Sequence, residues 1–176
     1  RDYAVHSDSI TGYGIKAPRA NHGIDHGLRQ GLHAVDIVRT ICESEDGHPF
    51  KKGLKEYVKE MSKDPLFEKK VRFIASFQRT GRESEEGFVR DEHNPLDAPL
   101  SFYRLYGKSD VEFFKDAAKL SGLFDSYDEI DEYAICLKDA AQARGQKTFL
   151  GAILHASHCL DLQRMEPFYA NTGRHD

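Results

Sequence analysis

The sequence predicts an all-α fold, and three observations support this prediction. Apolar residues recur every three or four positions through most of the chain, which is the period of a helix buried on one side. The alternation of β-branched and polar residues that marks strands is almost absent. Glycine and proline stand between the periodic segments, where helices end. We expect one compact helical domain over residues 1–176, with about five to seven helices and an active-site cleft. An irregular N-terminal arm is expected at 1–20 and an irregular tail at 166–176.

The first predicted helix spans residues 22–43 and carries the clearest periodic pattern. Asn21 precedes it as the expected N-cap. A helix of this kind buries its apolar stripe and exposes its polar side. The expected buried face consists of the apolar residues at helical spacing, Leu28, Leu32, Val35, Val38 and Ile41.

Five further helices are expected along the rest of the chain. They span residues 51–61, 64–81, 110–120, 127–144 and 148–165. Pro65 suits the first turn of the third helix, because proline lacks only a donor that has no helical partner there. Gly81 and Gly122 suit the ends of the third and fourth helices, because glycine readily adopts the left-handed conformation that ends a helix.

Composition and charge narrow the classes of partner. The 176 residues are 39% hydrophobic and 31% charged, with a formal net charge of −4. Lysine and arginine are scattered, so we expect no nucleic-acid partner. No apolar run approaches the roughly 20 residues that cross a bilayer, so we expect no membrane partner either. The three cysteines include no CxxC pair, which disfavours a thiolate zinc site. The composition still allows a small anionic ligand, because a few arginines can bind one phosphate group on an acidic protein.

The segment from residue 18 to 35, PRANHGIDHGLRQGLHAV, places three histidines and an arginine in the first helix. His22, His26, Arg29 and His33 are spaced i, i+4, i+7 and i+11, so they form one stripe beside the apolar face. The helix N-terminus, where the stripe begins, offers free N–H groups and partial positive charge to an anion. A metal site, a phosphate site and a polar helix face without a binding role all fit this spacing.

Two later segments carry further candidate residues. TGRESEE, at 80–86, contains Arg82 and Glu85 in a charged loop that directly follows an apolar helix. LHASHCLDLQR, at 154–164, contains His158, Asp161 and Arg164 in an otherwise apolar helix. Because His158 and Asp161 are three residues apart, they share a helix face, and we expect that face to be wet or to line a cleft.

A metal site and a metal-free phosphoryl site are both consistent with these residue types. His22 and His26 have the spacing of an HExxH zinc motif, but Gly and Ile occupy positions 23 and 24, so its glutamate is missing. A metal-dependent HD-like phosphohydrolase needs His-Asp in sequence, whereas positions 25–26 are Asp-His. Metal-free phosphoryl transfer needs a nucleophile or general base, a general acid, and cations that neutralise the oxygens. Two histidines in opposite protonation states can fill the first two roles if a carboxylate fixes one tautomer, and arginines can neutralise the oxygens. We favour this chemistry and expect no metal and no cofactor; the HD-like enzyme stays an alternative.

The segments RANHGIDHGLR, FQRTGRESE and ILHASHCLDLQR, in this order, resemble the phosphodiesterase (PDE) domain of the SidE-family effectors of an intracellular bacterial pathogen. DupA/DupB-like enzymes and KLAMP-type nucleotide-binding domains are related to that family. The resemblance implies an all-helical, metal-independent phosphodiesterase of the phosphoribosyl-ubiquitin ligase or deubiquitinase type. It implies cleavage of the pyrophosphate of ADP-ribosylated ubiquitin, or of a related ADP-ribose compound, with release of AMP. It also implies a secreted effector that acts in the host cytoplasm, with host proteins as further partners.

The resemblance assigns roles residue by residue. His22 matches the histidine that forms a transient phospho-histidine, Glu85 the supporting glutamate, and His158 the general acid/base. Phosphate or nucleotide contacts are implied for five neighbouring residues, Asn21, His26, Arg29, Arg82 and Arg164. The ubiquitin-processing members are longer and carry a helical cap beside the catalytic core. An AMP- or ADP-binding effector module with little or no catalysis is therefore the first alternative.

Overall fold

A computed structural model describes residues 8–10, 16–18, 24–45, 52–78, 80, 109–142 and 145–163 of the chain. Within these residues the protein has six helices, which confirms the all-α class. They are α1 (Ile24–Glu43), α2 (Leu54–Met61), α3 (Phe67–Ala75), α4 (Asp110–Ser121), α5 (Tyr127–Ala140) and α6 (Phe149–Gln163). None of the helices described here is long and apolar enough to cross a membrane.

The N-terminal arm contains a short hairpin that the sequence did not predict. Strand β1 (Asp8–Ile10) pairs antiparallel with β2 (Lys16–Pro18), with Ser9 opposite Ala17. The expectation of an irregular arm is therefore wrong for these six residues. Strands of three residues are too short to show the alternation on which strand prediction depends. The expected irregular tail lies outside the described residues.

Local hydrogen bonds explain where the helices begin and end. The Ser109 side chain accepts from the backbone of Glu112 while the Glu112 side chain accepts from that of Ser109, and this capping box starts α4 at Asp110, the predicted first residue. Gly122 ends α4 at φ 66°, also as predicted. α3 begins later than expected because the Asp64 carboxylate accepts the Leu66 N–H at 2.8 Å and holds residues 62–66 in a turn.

Three further helix boundaries differ from the predicted ones by three residues or more. α2 begins at Leu54 rather than 51, directly after Gly53, whose φ of 85° lies in the left-handed region. α3 ends at Ala75, followed by a turn to residue 78, and the predicted end at Gly81 lies outside the described residues. α5 ends at Ala140 rather than 144. The first helix was predicted from residue 22, and its predicted N-cap, Asn21, is also among the residues not described.

All six helices contribute buried residues to the core. α1 packs against α3 and α6, and α5 packs against the same two helices, while α2 packs on α1 and α4 on α5. Aromatic rings from α3, α4, α5 and the connection between α4 and α5 meet edge to face. The rings of Phe114 on α4 and Phe124 in that connection are 5.7 Å apart between centroids. The largest fully buried apolar side chains are Phe67, Phe114, Ile41, Ile74, Leu137, Leu150, Ile153 and Leu154.

The buried face of α1 differs from the predicted one over its first half. Val35, Val38 and Ile41 are buried as expected, but Leu28 and Leu32 are 50% and 48% exposed. The reason lies in two glycines on α1. A Cβ at Gly27 would lie 2.7 Å from the Ser76 carbonyl oxygen, and one at Gly31 would lie 2.9 Å from that of Arg72. The α3 backbone therefore contacts the glycine face directly, and the two leucines are turned outward.

Substitution of Gly31 by alanine tests this close approach. Alanine favours an exposed helix by about 1 kcal/mol relative to glycine. Here its Cβ meets backbone that has little room to move, so we expect Gly31→Ala to lower the free energy of unfolding by about 1–3 kcal/mol. Denaturant unfolding measures the difference. Asp36→Ala, at an exposed position of the same helix, should change it by less than about 0.5 kcal/mol. A stabilised Gly31→Ala protein would contradict the contact.

Candidate active site

The position of α6 is set by the connection that precedes it. The buried Asp139 carboxylate at the end of α5 accepts hydrogen bonds from the Lys147 N–H, the Thr148 N–H and the Thr148 hydroxyl at 2.8–3.0 Å. The Thr148 hydroxyl in turn accepts the Gly151 N–H at 3.0 Å, as an N-cap does. These bonds fix the start of α6 and hence the direction in which its later side chains point.

Gln78 ties the second sequence segment to α6. Its buried side-chain amide donates to the Leu154 carbonyl oxygen at 2.8 Å and lies 3.3 Å from the Ser157 hydroxyl oxygen. Gln78 belongs to FQRTGRESE, whereas Leu154 and Ser157 belong to ILHASHCLDLQR. Two of the three segments therefore meet one turn before His158.

The Asp161 carboxylate joins the first segment to the third. Its side chain is fully buried between α1 and α6. Oδ2 contacts Nδ1 of His26, and Oδ1 accepts from Nε of Arg29 at 2.6 Å. Nε2 of His33 lies 3.8 Å from Oδ1. The three described members of the predicted stripe thus converge on one carboxylate, from a helix that lies more than 120 residues earlier in the chain.

The charge of Asp161 is stabilised by these neighbours. Burial by itself raises the pKa of a carboxyl group, because the charged form loses its water. The hydrogen bonds from Arg29 and His26, together with the positive charge of Arg29, outweigh that effect and lower the pKa of Asp161 to about 2. The group is ionised at neutral pH and only accepts hydrogen bonds, so Nδ1 of His26 carries the proton between them.

His158 is held through one ring nitrogen. It is buried on α6, with Nδ1 2.5 Å from Nε2 of Gln30 and 3.2 Å from Nε2 of His26. The same Gln30 nitrogen lies 2.8 Å from Nε2 of His26. The two imidazole rings meet edge to face with their centroids 5.2 Å apart. A glutamine amide thus bridges two histidines inside the helix interface.

The meeting of these segments agrees with a comparison of the sequence with known protein families. The model of the SidE phosphodiesterase (PDE) domain matches residues 2–175. The chain belongs to this family. No curated protein matches it. Membership identifies a phosphodiesterase domain and implies ADP-ribosylated ubiquitin as the substrate of the SidE family. The resemblance predicted from the three sequence segments is confirmed over nearly the whole chain.

The structure brings together three of the eight predicted site residues of this SidE-type domain. His26, Arg29 and His158 lie within one cluster around Asp161 and Gln30. The other predicted site residues, Asn21, His22, Arg82, Glu85 and Arg164, lie outside the described residues. Their roles, and the cleft they would line with His158, stay predictions.

The α6 face with His158 and Asp161 was expected to be wet or to line a cleft. It is not wet, because it packs on α1 and these residues are only 5% and 1% exposed. The sequence pattern did not predict Gln30 as a site residue. It predicted that Asp161 shares a helix face with His158, but no role for its carboxylate. A signal for Gln30 was present, since it follows His26 by four residues and precedes Ala34 by four, on one side of the helix.

Metal binding receives no support from the described part of the chain. There, no group of three or more histidine, cysteine, aspartate or glutamate side chains is arranged to hold a metal ion. In the cluster itself, the nitrogens of His26 and His158 that approach each other both contact the Gln30 amide.

The low pKa of Asp161 predicts how stability depends on acid. The ionised carboxylate should stabilise the folded protein by about 3 kcal/mol at neutral pH relative to Asp161→Asn. The unfolded state takes up the proton near pH 3.9, while the folded pKa is about 2. Hence the difference between the two proteins should narrow as the pH falls from about 4 to about 2.

Denaturant unfolding of both proteins across this pH range measures the difference. Glu68→Gln serves as the control, because it removes an exposed carboxylate that pairs with Arg39 at 2.6 Å. An exposed pair contributes at most about 1 kcal/mol. A difference for Asp161→Asn that is small at pH 7, or that does not change with pH, would contradict the assigned charge.

Proposed function

We propose that this SidE-family domain is a metal-independent phosphodiesterase. It cleaves the pyrophosphate of ADP-ribosylated ubiquitin, or of a related ADP-ribose compound, and releases AMP. The supporting observation is that all three sequence segments meet at α6, through Gln78 on one side and through His26 and Arg29 on the other. Residues from far-apart segments that converge on a buried histidine are typical of a catalytic site.

The proposed reaction has two steps, both at phosphorus. His22 attacks the phosphorus attached to the 5′ oxygen of the ribose that does not carry adenine, and the bond from that phosphorus to the bridging oxygen breaks. The bridging oxygen leaves as part of AMP and takes a proton from His158. In the second step a substrate serine or water attacks the phospho-histidine, His158 takes the proton from the attacking hydroxyl, and His22 is released. Two histidines thus divide the roles of nucleophile and general acid/base.

The surrounding residues supply charge and orientation in this proposal. Glu85 accepts a hydrogen bond from a histidine and fixes its tautomer. The phosphate oxygens carry negative charge that arginine neutralises well, because its planar group can donate two parallel hydrogen bonds. Arg29 bonds Asp161 through Nε, and its side chain is still 36% exposed. We assign the remaining phosphate and nucleotide contacts to Asn21, His26, Arg82 and Arg164.

AMP release from ADP-ribosylated ubiquitin and from free ADP-ribose tests the proposed function. We expect release that a chelator leaves unchanged, because no step uses a metal. His22→Ala should reduce the rate below about one-thousandth of the wild-type rate, as loss of a nucleophile does. Its melting temperature should stay near that of the wild type.

His155→Gln is the matched control for the histidine substitutions. His155 lies on α6 one turn before His158, but its Nδ1 points to the Ala140 carbonyl oxygen on α5, 3.2 Å away. This variant should retain AMP release. Tight AMP binding without turnover of either substrate would instead favour the nucleotide-binding module. Activity that disappears with a chelator would favour the metal-dependent alternative.

A further inference from the structure

We propose that Gln30 and the Asp161–His26 pair form a positioning network that binds Nδ1 of His158, so that His158 exchanges protons with the substrate only at Nε2. This inference rests on the proposed function, in which His158 is the general acid/base. It adds Gln30 and Asp161, which touch no substrate and act through His158, and it names the atom at which the proton moves.

Asp161 fixes the tautomer of His26. An ionised carboxylate has no hydrogen to donate, so the contact between Oδ2 of Asp161 and Nδ1 of His26 places the proton on Nδ1. Arg29 holds the other carboxylate oxygen at 2.6 Å and keeps Asp161 from turning. Nε2 of the neutral His26 ring is then a hydrogen-bond acceptor, directed at Gln30.

Gln30 lies where its side-chain amide can donate a hydrogen bond to each of the two imidazole rings, those of His26 and His158. Its amide nitrogen carries two hydrogens and lies 2.8 Å from Nε2 of His26 and 2.5 Å from Nδ1 of His158. One hydrogen goes to each ring. Nδ1 of the neutral His158 is therefore an acceptor, and the ring proton is on Nε2.

As a general acid, His158 must also exist in its doubly protonated form. A second proton on Nδ1 faces Nε2 of His26 at 3.2 Å. It also faces Gln30, whose Oε1 is fully buried and, among the residues the structure describes, has no hydrogen-bond partner. A half-turn of the amide brings this oxygen to Nδ1 as an acceptor. Nδ1 is thus bound in both states of the ring, and the transferred proton is the one on Nε2.

Nitrogen-15 spectra of the imidazole rings test the assignment directly, because the shifts distinguish the two tautomers. His26→Gln and His158→Gln variants assign the signals. In the wild type at a pH where the rings are neutral, we expect the His26 proton on Nδ1 and the His158 proton on Nε2. Gln30→Met, of similar volume but without hydrogen-bonding atoms, should leave His158 as a mixture of tautomers. A His158 proton on Nδ1 in the wild type, or no change in Gln30→Met, would overturn the proposal.

Kinetics of AMP release provide the second readout. Gln30→Met and Asp161→Asn should lower kcat by about 10-fold to 100-fold, less than the roughly 10²–10⁴-fold that a general acid contributes. KM should change less than about twofold, because neither residue binds substrate. Gln78→Met is the matched control. Gln78 is also a buried glutamine that contacts α6, but its side chain bonds Leu154 and Ser157 rather than an imidazole ring. This variant should leave the His158 tautomer unchanged.

The outcomes separate this inference from the proposed function. No AMP release from the wild type would overturn the function, while the spectra would still show whether Gln30 fixes the tautomer. AMP release with an unchanged kcat in Gln30→Met would overturn the positioning network and leave the phosphodiesterase intact. A kcat loss in Gln78→Met equal to that in Gln30→Met would also overturn it, since a general loss of packing would then explain both.

Discussion

The described site depends on one buried carboxylate. Asp161 lies between α1 and α6 with no exposed surface, and it is ionised because Arg29 and His26 bond its two oxygens. An isolated charge in this place would cost several kcal/mol of desolvation. The carboxylate therefore fixes both partners and, through them, the way in which the two helices face each other.

Packing elsewhere makes this arrangement available. Gly27 and Gly31 let the α3 backbone lie directly against α1. That contact turns Leu28 and Leu32 to the surface and His26 and Gln30 into the interface. A polar interface of this kind must have its hydrogen bonds satisfied, because unpaired polar atoms in a low dielectric are costly. It thereby specifies the orientation of His158 more narrowly than an apolar interface would, since apolar contacts have no direction.

The sequence was sufficient to predict the helices and the family, for different reasons. Helices followed from the spacing of apolar residues and from end signals such as Gly122. The family followed from three short segments whose order and residue types are specific in combination. The match over residues 2–175 confirms it.

Other features could not be predicted because they depend on contacts between distant segments. The spacing of apolar residues predicted that Leu28 and Leu32 are buried. That prediction was wrong because spacing alone does not show which face of a helix packs against its neighbours. The role of Gln30 is visible only when His26 and His158, 132 residues apart, are seen together. Burial of His158 and Asp161 likewise reflects the partner helix rather than their own. His22 and Glu85 lie outside the described residues, so their place in the site rests on the family resemblance.

A double-mutant cycle between His26→Gln and Asp161→Asn, read as free energies of unfolding at neutral pH, tests most directly whether this carboxylate and imidazole act as a unit. The account predicts that the two losses are coupled by more than about 1 kcal/mol, as for residues in one buried network. The exposed pair of Lys115 and Asp131, with Nζ and Oδ1 2.7 Å apart, is the control cycle. Its coupling should be smaller than about 1 kcal/mol. Losses for His26 and Asp161 that simply add, within about 0.5 kcal/mol, would contradict the account.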